Sequence, residues 1–135
     1  MSTLNCVSSQ DLEIIFGRIS EITSLSEDFL NILRERQAFY PNLVIERIGD
    51  VIKSRLEEFL CYGRYIGDLS AAKYHLHLIS KKSEVASLLK DALTKEECRR
   101  LDLLNFLDQP RRRLAKISCL VHEIDKCTHE EHPDK

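Results

Sequence analysis

The side chains best able to do chemistry crowd the last third of the chain. Cys119, His122, Cys127, His129 and His132 carry the thiol and imidazole groups that hold zinc, and Cys119 with His122 has the spacing of a thiol and a base one helical turn apart. The surrounding pattern completes neither arrangement. Cys119 lies within an apolar-periodic stretch and Cys127 near a helix end, so a closed tetrahedral shell requires the polar tail to fold back, and no third group is spaced to orient His122 as a base. His75 and His77 are two residues apart and face different sides of a helix. Tyr62 and Tyr65 read as rim and core residues. The run Arg111-Arg112-Arg113 suits phosphate or an acidic partner, yet adjacent residues point around a helix in different directions, and no aromatic platform or broad basic face argues for nucleic acid. No glycine-rich phosphate loop is present, so neither a bound nucleotide nor a cofactor or metal is expected.

The elements that position these groups are helices. Only 4 Gly and 3 Pro occur in 135 residues, too few turn signals for a sandwich or barrel. Leu12, Ile15, Phe16, Ile19, Ile22, Phe29, Leu30 and Leu33 form one apolar stripe, opened by a capping box at Ser8 and Asp11 and fading near Arg36 before Pro41; Gly17 lies inside it. A second stripe runs from Ile48 through Val51, Ile52, Leu56, Phe59 and Leu60 towards Gly67. Ser70 is placed to cap a third helix with Ala72, Leu76 and Ile79, and Ser83 a fourth with Val85, Leu88, Leu89 and Leu93, while Thr94 and Glu97 offer another capping box. Pro110 opens or kinks a last helix, whose stripe Leu114, Ile117, Leu120, Val121 and Ile124 continues to about Cys127. Residues 128–135 read as a loop or the entry to another helix.

Twenty Lys and Arg against 22 Asp and Glu leave a net charge of −2, so whole-chain basicity does not argue for a polyanionic partner. The balance is uneven: residues 99–116 hold six basic and two acidic side chains, residues 1–50 four and eight, which locates a contact face near Pro110. Five irregularly spaced cysteines do not form a disulfide framework. With no secretory leader at residues 1–10 and no long apolar run, the reading is a cytoplasmic protein that does not insert into a membrane.

The segment from Leu101 to Asp134 resembles the third conserved region of the Dbl-homology domain, the helical domain of guanine-nucleotide exchange factors for Rho-family GTPases. Leu103, Phe106-Leu107, Pro110, Arg113, Cys119-Leu120-Val121 and His132-Pro133-Asp134 carry the match. The version Phe106 to Leu114 resembles most closely the neuroepithelial transforming-protein branch, whose members act on RhoA-type GTPases. Upstream, residues 11–19 with Phe29-Leu30 are similar to the family's second helix, residues 48–60 with Tyr65 to the next, and Ala71-Ala72-Lys73 to the short one after it. Gln109 stands where many members carry Lys, Arg112 where they carry Gln or Ser, and Ile117-Ser118 replaces a Tyr-Pro pair.

The resemblance implies an all-α fold, an elongated helical bundle of the Dbl-homology type truncated at both ends. It places a flexible N-terminus at residues 1–8 and a partial Dbl-homology domain at residues 9–135, with the family's first helix and its acidic GTPase contact, and its last helix, outside the span, and the helix through Leu114 and Val121 at its centre. It implies nucleotide exchange on a Rho-family GTPase, by tighter binding of the nucleotide-free form through its switch regions, with no covalent catalysis. Gln109, Arg112, Arg113 and Lys116 are the implied GTPase-binding positions, with Arg113 expected to brace neighbouring helices more than to touch the GTPase. The competing reading is a non-catalytic helical interaction module on the same scaffold. Apolar surface left uncovered by the absent helices implies self-association.

Overall fold

A computed structural model describes residues 6–135, and among them it contains helices and turns but no strand. The fold is an all-α bundle. Its helices are α1 (Ser9–Phe16), α2 (Ile19–Ala38), α3 (Gly49–Ser54), α4 (Leu60–Ile79), α5 (Ser83–Leu93) and α6 (Leu103–Cys127). Residues 1–5 of the N-terminus expected to be flexible lie outside the described residues, while Cys6 and Val7 rest against the core.

The capping box forms as expected: the Asp11 N–H donates to Ser8 Oγ at 3.1 Å and the Ser8 N–H to Asp11 Oδ2 at 2.9 Å. The single helix expected over residues 12–36 is instead two. It turns at Gly17 and Arg18, and Gly17 leaves no room for a side chain: a Cβ there would sit 2.6 Å from the Glu13 carbonyl oxygen. The turn lets Ile15 from α1 and Ile22 and Leu25 from α2 reach one core.

The next two expectations are also corrected. Residues 55–59 form turns separating α3 from α4, with Arg55 Nη1 donating to both Glu58 carboxylate oxygens at 2.7 Å. Gly67 and Ser70 then mark no boundary. Tyr62, Tyr65, Leu69, Ala72, Leu76 and Ile79 repeat at intervals of three and four, and all are buried along α4. Burying that stripe outweighs the roughly 1 kcal/mol cost of each interior glycine and the capping tendency of Ser70. This makes α4 the centre of the bundle, in contact with α1, α2 and α6. The helix through Leu114 and Val121, expected there, lies at the side, with both residues only half-buried.

Before α5 the N-cap position belongs to Lys82, so Ser83 is the first helical residue. The expected box at Thr94 does not form, because the Thr94 hydroxyl turns back to donate to the Asp91 carbonyl at 2.7 Å. A single turn of 3-10 helix at Glu96–Cys98 follows, and Arg99 and Arg100 then adopt left-handed φ of 48° and 60°. Asp102 caps α6, accepting from the Asn105 N–H at 2.8 Å, and Pro110 lies inside that helix. The tail returns to α3: the Ile48 N–H donates to Asp134 Oδ2 at 2.6 Å, and a Cβ on Gly49 would stand 2.9 Å from Asp134 Oδ1.

Candidate functional site

Gln109, Arg112, Arg113 and Lys116 are spaced i, i+3, i+4 and i+7, and α6 carries all four on one exposed face. Phe106 and Pro110 join them from α6, and Ile19 and Ile22 from α2, to line a surface cleft of about 600 Å³. The lining thus combines apolar side chains with three cations. Among the described residues, the side chains of Arg113 and Lys116 make no hydrogen bond or ion pair, so both charges are free to meet an acidic partner. The brace expected of Arg113 is therefore supplied by other residues.

The brace is built on Asp108, which is only 7% exposed. Arg111 grips it through two hydrogen bonds, Nε to Oδ1 at 3.0 Å and Nη2 to Oδ2 at 2.7 Å. Arg112 Nε donates to Oδ2 at 3.0 Å, and Lys73 Nζ of α4 reaches Oδ1 at 3.3 Å. The hydrogen bonds from Arg111, with those from Lys73 and Arg112, hold the Asp108 carboxyl well below the usual carboxylate range against the opposing effect of desolvation. Beside it, Leu107 is almost fully buried and its carbonyl accepts from the Tyr65 hydroxyl at 2.7 Å. Burial pushes the Tyr65 phenol up. The Lys73 and Tyr65 contacts tie α6 to α4, while Arg111 and Arg112 hold the Asp108 carboxylate in place within α6.

Asp108 and its partner Lys73 were not legible as site residues. The available signal was the placement of Arg111 and Arg112 three and four residues after Asp108, the spacing of ion pairs on a helix. The three arginines do point in different directions, two towards Asp108 and one into the open cleft.

The His-Pro-Asp run has a structural task. Asp134 accepts from the backbone N–H groups of Gly49 and Ile48, which lower its pKa. The His132 ring accepts from the Asp134 N–H at 3.1 Å. Cys119 and His122 are both exposed, and no group of three His, Cys, Asp or Glu side chains able to hold a metal converges among the described residues.

A second surface feature borders this end of α6. Leu114, Ile117, Leu120, Val121 and Ile124 face Phe29 and Leu33 of α2, and Ile48, Ile52, Leu56 and Phe59, across an apolar groove of about 390 Å³. Leu120 is 54% exposed, so the groove is open to solvent.

The family model of the RhoGEF domain matches residues 1–135. The chain belongs to the RhoGEF, or Dbl-homology, domain family. It is 37% identical over 134 residues to the human neuroepithelial cell-transforming gene 1 protein, a match covering 99% of this chain and 22% of that protein. It is 33% identical over 135 residues to chicken Rho guanine nucleotide exchange factor 3, covering 100% of this chain and 25% of the relative. Bovine proto-oncogene vav is 29% identical over 122 residues, covering 90% of this chain and 14% of the relative. The chain thus spans about a quarter or less of the length of these relatives. The match to the neuroepithelial cell-transforming gene 1 protein is in keeping with the resemblance to the neuroepithelial transforming branch.

Proposed function

We propose that this RhoGEF domain engages a Rho-family small GTPase through the α6 cleft and promotes release of its bound nucleotide. The observation that carries the reading is the convergence of Gln109, Arg112, Arg113 and Lys116 on one rigidly braced face, with two of the cations unpaired. The chemistry required is differential binding. A factor that binds the nucleotide-free GTPase more tightly than the loaded one lowers nucleotide affinity by the same ratio, and each tenfold corresponds to about 1.4 kcal/mol. Cationic and amide side chains on a fixed helix suit contact with the switch loops, because they exchange hydrogen bonds without a covalent step. Similarity to the neuroepithelial cell-transforming gene 1 protein supports a RhoA-type GTPase as the first to test. We place the activity in the cytoplasm; among the described residues no helix is long and apolar enough to cross a membrane. The open groove between α2, α3 and α6 supports self-association of the isolated chain.

A nucleotide-release assay with fluorescent GDP on a panel of Rho-family GTPases tests the reading. Acceleration that rises with chain concentration is expected. Binding without acceleration would favour the non-catalytic interaction module, and no acceleration for any GTPase would reject exchange by this chain.

A further inference from the structure

We propose that the recess between α5 and α6 is a phosphate-binding site held by Lys95, Arg99 and Arg100. The recess measures about 730 Å³ and is lined by those three residues with Leu93, Thr94 and Glu96. All three cations are exposed, and among the described residues their side chains make no ion pair or hydrogen bond. Most of the chain's other arginines are treated differently: Arg18, Arg36, Arg55, Arg64, Arg111 and Arg112 each pair with a carboxylate. Here three cations face the single carboxylate of Glu96. Among the lining residues this leaves two positive charges in excess, against roughly −1.5 to −2 for a phosphomonoester near neutral pH, with Glu97 and Asp102 flanking the recess outside its lining.

The backbone supplies an independent argument. Arg99 and Arg100 occupy left-handed φ, where an L side chain is disfavoured and glycine is the natural occupant. None of the four glycines in the chain has a positive φ. Two adjacent positions that the backbone would give to glycine therefore both carry a guanidinium, and in neither case does the fold use that group. Leu43 shares this backbone conformation at a φ of 57°, so what sets Arg99 and Arg100 apart is that both guanidinium groups line one recess with Lys95 and have no partner among the described residues. The 3-10 turn sets the frame: the Arg99 N–H donates to the Glu96 carbonyl at 3.0 Å and the Leu101 N–H to the Cys98 carbonyl at 2.7 Å. Between them the Arg100 N–H donates to no group among the described residues and adds a fixed donor to the same turn. Planar guanidinium forks and a backbone N–H are the donors that a phosphate's three oxygens accept.

The ligand chemistry is a phosphomonoester, available either on an inositol phospholipid headgroup or on a soluble inositol phosphate. The site is separate from the α6 cleft, and its test does not depend on nucleotide exchange. The full chain is titrated with inositol trisphosphate by calorimetry and, in parallel, sedimented with phosphatidylcholine vesicles carrying phosphatidylinositol bisphosphate or a charge-matched amount of phosphatidylserine. The Arg99→Gly/Arg100→Gly variant removes both guanidinium groups while easing the backbone, and its melting curve verifies folding. Arg34→Ala/Lys53→Ala removes equal charge from α2 and α3 as a control. We expect binding of the soluble phosphate, weakened on the order of tenfold or more in the glycine variant and little changed in the control. Preferential sedimentation with the bisphosphate vesicles would identify the lipid headgroup as the source, and binding of the soluble compound alone the free phosphate. The proposal is overturned if neither probe binds, if phosphatidylserine vesicles sediment the chain as well as bisphosphate vesicles, or if the control loses as much affinity as the glycine variant.

Discussion

Replacing Gly63 and Gly67 with alanine should stabilise the protein, and by an amount the structure fixes closely. Both glycines lie in the interior of α4, both are exposed, and a Cβ built on either meets no heavy atom within 4 Å. The substitution therefore introduces no clash and leaves only the difference in helix propensity, about 1 kcal/mol per site. The added methyl groups are too small to touch across one turn, so the effects should add to about 2 kcal/mol. For a chain of this size about 1 kcal/mol corresponds to roughly 3 to 5 °C in melting temperature, so the double variant should melt roughly 6 to 10 °C higher. Thermal denaturation followed by far-ultraviolet circular dichroism reads this directly. Ser70→Ala is the companion measurement: inside a helix it should be neutral or slightly stabilising, whereas loss of an N-cap would cost about 1 kcal/mol. A lower melting temperature for Gly67→Ala, together with a full cap penalty at Ser70, would refute the continuous α4 and restore a boundary between Gly67 and Ser70.

Other predictions follow from the charged contacts. Asp108→Asn should lower the melting temperature at neutral pH by weakening the hold of Arg111, Arg112 and Lys73. Because the folded carboxyl titrates well below its unfolded value of about 3.9, its contribution is complete above that value and fades as pH falls towards the folded pKa, so variant and wild-type curves should converge in acid. An unchanged gap between about pH 7 and about pH 2 would contradict this linkage. Asp134→Ala should cost about 0.5 to 2 kcal/mol in urea unfolding by leaving the Ile48 and Gly49 N–H groups without their carboxylate; fully retained stability would show that the tail does not hold α3. Leu120→Asp, placed in the open groove, should shift any concentration-dependent oligomer to monomer in analytical ultracentrifugation, and persistence of the oligomer would exclude the groove as its interface.

The helical class and several element limits were readable because local rules operate there. Ser8 with Asp11 caps its helix as their spacing requires, and the stripe from Leu114 to Ile124 ends at Cys127 as its periodicity requires. The errors came where local and tertiary signals compete. Gly17 lies inside a continuous apolar stripe, but the core needs a corner there; Gly67 and Ser70 have the residue types of a boundary, but the buried repeat from Tyr62 to Ile79 continues through them. The GTPase-binding role proposed for Gln109, Arg112, Arg113 and Lys116 rests on family resemblance, whereas their shared face follows from spacing alone. Lys73 is distant in sequence from Asp108, and only the packing of α4 on α6 brings them together. Arg99 and Arg100 carry no pattern that announces left-handed backbone, since the residues expected at such φ are Gly and Asn.

If the α6 cleft prefers a GTPase emptied of nucleotide, the ratio of two dissociation constants will show it. The chain and its Arg113→Glu/Lys116→Glu variant are titrated against a RhoA-type GTPase in nucleotide-free and GDP-loaded forms. Tighter binding of the nucleotide-free form is expected, by the factor through which the chain weakens GDP affinity, with loss of that binding in the folded variant, since reversed charges confront an acidic partner. Equal affinity for the two forms, or undiminished binding by the charge-reversed variant, would contradict that expectation.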